Sequence, residues 1–347
     1  IIFLIAMLAP KFVRAFASAA KPKILVTRQI PAPAMKILTD APVEIVHWDY
    51  PDKAMPRDKL LAAVKGCDAC LCMLTEKINA EFFEAAGPQL KTVATMSVGF
   101  DHIDVPECKK RGILTGYTPG VLHHTVAELT VALLLATTRR LSPAIDSVRN
   151  GGWGTWEPLG YCGTDIYGKT LGICGMGEIG LEVVKRMRGF GCKIIYSDIR
   201  RKLDWENDYQ MEYVSMEDLL KRSDFISIHT SLNPHTRHMF NMDKFKQMKK
   251  DAIIINTSRG PVIDQEDLTK ALQQGIIGGA GLDVAEPEPM KADNPLLKMP
   301  NVVILPHIAS ASIATRTRMG EIAAEVAVNG ALGKRDFDPK WIVPNSF

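Results

Sequence analysis

The segment LGICGMGEIG, residues 171–180, joins an apolar run to a helical pattern through three glycines. Gly175, Gly177 and Gly180 stand in G-x-G-x-x-G register, after a strand pattern and at the opening of a helical one. The first glycine permits a tight turn, the second lets backbone approach a pyrophosphate, and the third lets helix and strand pack closely. A lone G-x-G-x-x-G is also found in ordinary βα turns. Here both flanks fit, and Asp198 ends the next strand pattern, eighteen residues past Gly180, where a carboxylate accepts hydrogen bonds from ribose hydroxyls. The reading is a dinucleotide-binding unit, with Glu178 and Ile179 inside its turn.

Outward from this unit the alternation repeats. KTLGICG, KIIYSD, FISIHT, AIIINT, GAGLDV and VVILP read as strands from Lys169 onward, and KILVTR, VEIVHW, ACLCML, KTVATMS and ILTGYT read the same way from Lys23. Strands alternating with helices make parallel sheets covered by those helices. The fold class is therefore α/β, with two Rossmann-like domains and the active site in the cleft between them. Between the two series, VLHHTVAELTVALLLATTRRL, with Pro143 near its end, predicts one long connecting helix within residues 121–150. The last helical pattern, about Ser310 to Leu332, has no sheet of its own and is expected to cross back onto the first domain. The substrate domain is then discontinuous, 21–120 plus 312–347, around a cofactor domain of 121–311.

The 347 residues can bury two substantial cores, and 42 basic against 39 acidic residues, a net charge of +3, form no long basic block. A small molecule, not nucleic acid, is the expected partner. Seven cysteines without disulfide-like spacing suit a reducing compartment. CDACLC at 67–72 reads as strand thiols rather than half a zinc site, and no metal is expected. Residues 1–20, IIFLIAMLAPKFVRAFASAA, carry an apolar run too short to span a bilayer, followed by Lys11 and Arg14 with no acid. They read as an extension or a targeting segment, with a mitochondrial address open, on a cytoplasmic protein with no membrane partner.

Three further segments place chemistry at strand ends of the second series: Arg259 in NTSRGP, Asp283, Glu286 and Glu288 in GLDVAEPEP, and His307 in VILPHIAS. Ligands of parallel sheets bind outside the carboxyl edge. Alone, the arginine suits a surface ion pair, Asp283 a strand-end cap and His307 a loop hydrogen bond. Together they are coherent. A histidine exchanges protons near neutral pH, a carboxylate on its far nitrogen fixes the tautomer, and an arginine fork grips an anionic substrate.

These segments, in order with TMSVGFDHID, TPGVLHHTVAELTVALLL and NGGWGTWEPLGYCG, resemble the motifs of the D-isomer-specific 2-hydroxyacid dehydrogenase family, and most of all its animal-type glyoxylate and hydroxypyruvate reductases. The resemblance runs from Lys23 to about Leu332. It implies that Arg259 and His307 are catalytic and that Glu288, which precedes Pro289, is the acid, with Glu286 before Pro287 as the alternative. It implies that backbone N–H groups of Val98 and Gly99 hold the substrate carboxylate, and that Trp156 reaches across a homodimer into the neighbouring site. It adds Asp283, Ser231, Thr257 and Ser310, with Arg259 and His307, to the cofactor contacts. The implied reaction is reversible hydride transfer between NAD(P)H and the C2 carbonyl of a small 2-oxo acid, favouring reduction of glyoxylate or hydroxypyruvate. A phosphoglycerate or formate dehydrogenase, or a dinucleotide-sensing corepressor-like protein, are the alternatives. The animal-type reductases use NADPH and lack an acid at the place of Asp198. Asp198 favours NAD(H), while Arg200 and Arg201 leave NADP(H) open.

Overall fold

Two parallel sheets organise the chain in a computed structural model that describes residues 20–344 and 346. Apart from Ala20, the expected N-terminal segment lies outside the described residues. The first sheet comprises β1 (Lys23–Val26), β2 (Glu44–His47), β3 (Ala69–Cys72), β4 (Thr92–Thr95) and β5 (Leu114–Gly116), in the order β2-β1-β3-β4-β5. The second comprises β6 (Thr170–Cys174), β7 (Lys193–Ser197), β8 (Met211–Tyr213), β9 (Phe225–Ile228), β10 (Ile253–Asn256), β11 (Gly279–Leu282) and β12 (Val302–Ile304). Their order is β12-β11-β10-β9-β6-β7-β8. Helices on both faces bury β3, β4, β9 and β10 along their whole lengths, which is why these strands read as unbroken runs rather than alternating ones. β8 is absent from the sequence reading; it is a three-residue edge strand with only Met211 buried, too short and too polar to stand out.

The single connecting helix expected over 121–150 is two helices, His123–Thr138 and Leu141–Arg149. Arg140 between them takes a left-handed φ of 54°, which ends the first helix. Pro143 falls in the first turn of the second, where its missing N–H leaves no hydrogen bond unmade. The first of these helices packs on helix Glu178–Met187 and on β10 and β11. Its approach depends on Gly281, where a Cβ would lie 2.7 Å from Thr137 and 2.9 Å from Leu133.

Helix Ile313–Ala331 leaves the second sheet and lies over β3, β4 and helix Ala32–Asp40. Its Ala323, Ala324, Val326 and Ala327 share one core with Ile24, Val26, Leu71 and Ala94. The tail then runs against the edge of the first sheet, with Val343 N donating to Thr115 O at 2.9 Å and Ile342 bridged antiparallel to Gly116. All seven cysteines are free thiols; burial pushes Cys70 and Cys72 in β3 well above the ordinary thiol range. No helix among the described residues is long and apolar enough to cross a membrane.

Candidate active site

Residues just past β1, β3 and β4 of the first sheet and past β9, β10, β11 and β12 of the second border one cavity of about 1160 Å³. In the second sheet the chain order reverses beside β6, with β9 on one side and β7 on the other, and such a switch point opens a crevice at the strand ends.

Arg259 enters this cavity from the turn after β10. The Asn256 side chain builds that turn: its amide donates to Arg259 O at 2.9 Å, while its oxygen accepts the Ser258 N–H and Oγ–H at 2.9 and 2.8 Å. Gly260 follows because the backbone passes against the next strand end; a Cβ there would lie 1.9 Å from Ala285 O. The guanidinium is held at two points, Nε donating to Asp101 Oδ1 at 2.9 Å and Nη1 to Ser258 O at 2.9 Å. Nη2 rests against Gly99, where a Cβ would come within 1.7 Å. A glycine is therefore obligatory at 99 if Arg259 is to hold this position.

His307 is presented by a turn built on Asp283. The histidine has a left-handed φ of 56°, a region histidine tolerates better than most residues. Its N–H donates to Asp283 O at 2.9 Å, and the two carboxylate oxygens of Asp283 accept the Ile308 and Ala309 N–H groups, each at 2.8 Å. Burial raises the Asp283 carboxyl above its ordinary range against the opposing pull of those two bonds. Asp283 thus caps the turn and also lines the cavity.

The His307 ring pairs through Nδ1 with Glu288 Oε2 at 2.9 Å, and Glu288 Oε1 accepts the Ala285 N–H at 3.0 Å. Burial would raise the Glu288 carboxyl, but the bond and charge of His307 outweigh it and hold the group below the usual carboxylate range. An ionised carboxylate only accepts, so the proton of this bond sits on Nδ1, and Nε2 is the ring nitrogen left for another partner. Glu286 points to other partners, Arg237 and His238.

Val98 and Gly99 line the cavity on the first-sheet side. Ser97 Oγ donates to Gly99 O at 2.7 Å, and Thr95 links Ser97 to His102 at 2.9 and 3.0 Å. Burial drives His102 down to about 4, so this relay is neutral at physiological pH. Trp156 lies away from the cavity wall of the single chain, 81% exposed, and Trp153 and Leu159 nearby are exposed too.

The glycine turn has the form its spacing requires. Gly175 has a φ of 94°, a Cβ on Gly180 would lie 2.6 Å from Gly175 O, and the space beside Gly177 is open. Ile179 lines the cavity, whereas Glu178 opens the helix with an exposed carboxylate. Asp198 ties the end of β7 to this turn, Oδ2 accepting from Met176 N at 2.7 Å and Oδ1 from Arg200 N at 2.9 Å. Ser231, Thr257 and Ser310 all line the cavity; Thr257 Oγ1 bonds Thr130 Oγ1 at 2.9 Å, and Ser310 Oγ accepts from Arg316 Nε at 2.9 Å. An open glycine turn, a helix N-terminus and an acid at the next strand end fit a dinucleotide.

Asp101 and Arg316 escaped the sequence reading. Asp101 had a signal, an acid two residues past the glycine of SVGFD; Arg316, in the first turn of a long helix, had none.

A family model described as the NAD binding domain of D-isomer specific 2-hydroxyacid dehydrogenases matches residues 131–309. The chain belongs to that family of nicotinamide-dinucleotide-dependent oxidoreductases. It is 48% identical over 307 residues to a glyoxylate reductase of Thermofilum pendens, covering 88% of this chain and 90% of that protein. With the glyoxylate reductase/hydroxypyruvate reductase of Homo sapiens it shares 44% over 314 residues, 90% of this chain and 95% of the other. Among solved structures, a glyoxylate reductase from Paecilomyes thermophila matches with a TM-score of 0.81 at 29% identity, covering 94% of this chain and 99% of that one. An NADPH-dependent glyoxylate/hydroxypyruvate reductase from Sinorhizobium meliloti, in complex with NADP and malonate, matches with a TM-score of 0.74 at 30% identity, covering 88% and 92%.

Proposed function

We propose that the chain is a glyoxylate/hydroxypyruvate reductase that converts a small 2-oxo acid to the D-2-hydroxy acid. The observation that carries this reading is the His307–Glu288 pair, 2.9 Å long, in the same cavity as the tethered guanidinium of Arg259. Val98, Gly99 and Arg259 hold the substrate carboxylate, and Arg259 also stabilises charge developing on the carbonyl oxygen. His307, protonated, delivers its Nε2 proton to that oxygen, and Glu288 stabilises the imidazolium beforehand. The dinucleotide, held by Gly175, Gly177, Gly180, Asp198 and the hydroxyls of Ser231, Thr257 and Ser310, supplies the hydride to C2 when bound.

NADH is the proposed cofactor. Asp198 keeps an acceptor carboxylate beside the glycine turn, and Arg201, which could serve a 2′-phosphate, is occupied by Glu206 at 2.8 Å. The packing of helix Ile313–Ala331 on the first sheet supports a substrate domain of 21–120 plus 312–347 around a cofactor domain of 121–311. The exposed Trp153, Trp156 and Leu159 support a homodimer in which Trp156 enters the partner's site, a point that sedimentation of wild type and Trp156→Ala would decide. Free thiols support a cytoplasmic setting. The direct test of the activity is a steady-state panel of glyoxylate, hydroxypyruvate, pyruvate and phosphohydroxypyruvate with NADH and with NADPH. No turnover of glyoxylate or hydroxypyruvate with either cofactor would refute the reading.

A further inference from the structure

We propose that Arg28 is a specificity-determining residue: locked in place by the buried carboxylate of Glu76, it recognises a hydroxyl on C3 of the 2-oxo acid. The proposal rests on the reductase reading and names the side chain that would separate hydroxypyruvate from substrates lacking that hydroxyl.

Arg28 stands two residues past β1, and Glu76 stands four residues past β3. Glu76 is only 3% exposed, yet four donors converge on it. Its Oε2 accepts Thr27 Oγ1 at 2.8 Å and Met73 N at 2.5 Å; its Oε1 accepts Thr75 Oγ1 at 2.7 Å and Arg28 Nη2 at 3.4 Å. A carboxylate this buried is tolerable because its lone pairs are filled and a cation faces it. The effect is to fasten the end of β1 to the loop after β3. Met73, Leu74 and Thr75 of that loop line the same cavity as Arg28, Arg259 and His307.

The Arg28 guanidinium is not used up by this network. Nη2 donates to Thr75 Oγ1 at 3.0 Å as well as to Glu76, but Nε is buried with no acceptor, and Nη1 has no protein acceptor among the described residues. The side chain is 15% exposed, so few waters reach it. A largely desolvated donor on the wall of a substrate cavity is suited to an acceptor that arrives with the substrate. Arg259 and the Val98–Gly99 loop take the carboxylate and carbonyl, which leaves the substituent on C2 for the β3 loop.

The charge balance selects the kind of acceptor. Glu76 already neutralises Arg28, so a second anion, such as a phosphate or a distal carboxylate, would approach a pair with no net charge. A hydroxyl oxygen needs only a free N–H. Leu74 offers apolar contact to the methylene that carries it. Glyoxylate has no C3 and pyruvate has only a methyl there, so neither can use the donor.

The test is kcat/KM for hydroxypyruvate, glyoxylate and phosphohydroxypyruvate, with whichever of NADH and NADPH the wild type uses better, in wild type, Arg28→Met and Arg28→Lys. A hydrogen bond from a charged donor is expected to count for about 10-fold, so the ratio of hydroxypyruvate to glyoxylate should fall by about that factor in Arg28→Met. Arg28→Lys keeps the ion pair with Glu76 and gives the same comparison if the methionine variant does not fold; its ratio should fall too, because the ammonium reaches less far and has no second nitrogen to face the cavity while the first holds Glu76. An unchanged ratio, whether both substrates lose equally or neither loses, would overturn the proposal by making Arg28 a purely structural partner of Glu76. A larger loss with phosphohydroxypyruvate than with hydroxypyruvate would also overturn it, in favour of an anion site. A wild-type protein inactive on both unphosphorylated substrates with NADH and with NADPH would instead refute the reductase reading, and the subsite with it.

Discussion

Asp101→Asn tests the tether of Arg259 with little change in shape. The Arg259–Asp101 ion pair, 2.9 Å long, spans the cleft between the two sheets. At an effective dielectric of ~20 its gross attraction is about 6 kcal/mol. Water reaches both side chains, which are 22% and 33% exposed, and asparagine still accepts a bond from Nε. About a quarter of the gross value should therefore be lost, ~1.5 kcal/mol, or roughly tenfold. The loss should fall mainly on kcat, since a guanidinium released from Asp101 still attracts the substrate carboxylate. The assay is steady-state reduction of hydroxypyruvate, with NADH affinity measured by fluorescence on the same protein. An unchanged kcat would refute the tether, and NADH affinity falling in step with kcat would show that the substitution disturbs the fold instead.

Three other perturbations bear on separate parts of the molecule. Wild type is expected to favour NADH over NADPH by roughly fivefold in kcat/KM, the residue of a screened repulsion between Asp198 and a 2′-phosphate, and Asp198→Asn should erase that preference; a wild type that already prefers NADPH would give the pocket to Arg200 and Arg201. Glu288→Gln should lower kcat for hydroxypyruvate reduction by roughly tenfold or more, because the His307 Nδ1 proton loses its charged acceptor; a loss in Glu286→Gln and none in Glu288→Gln would reassign the role. Glu182, 7% exposed, would be raised by burial alone, but bonds from Lys185, Arg186 and His124 bring it down to about 2. Its depressed value adds stability above the unfolded value of ~4.5 that is lost as pH falls toward about 2. Glu182→Gln should therefore cost ~1–3 kcal/mol in urea unfolding at pH 7, with the gap to wild type closing below pH ~4, and a gap independent of pH would contradict this.

The sequence was most legible where one physical constraint dominated. Gly175, Gly177 and Gly180 could be read because a tight turn, a close approach and a close packing each exclude a side chain, and the buried runs of β3, β4, β9 and β10 because both their faces are covered. His307 and Arg259 stood out only as titratable groups at strand ends. Glu286 and Glu288 could not be separated by sequence, since each precedes a proline; the direction of their side chains is a tertiary property, and it brings Glu288 to His307 and Glu286 to His238. The break at Arg140 was hidden because arginine is a good helix former and nothing local demands its positive φ. Asp101 and Arg28 were missed because their roles depend on Arg259 and Glu76, which lie 158 and 48 residues away along the chain.

The central claim is that His307 supplies the proton to the carbonyl oxygen, and it is tested most directly by kcat/KM for hydroxypyruvate reduction in His307→Gln across pH, with NADH affinity measured alongside. The expected result is a loss of roughly 10²–10⁴-fold and NADH affinity close to that of wild type. Near-wild-type turnover would contradict it.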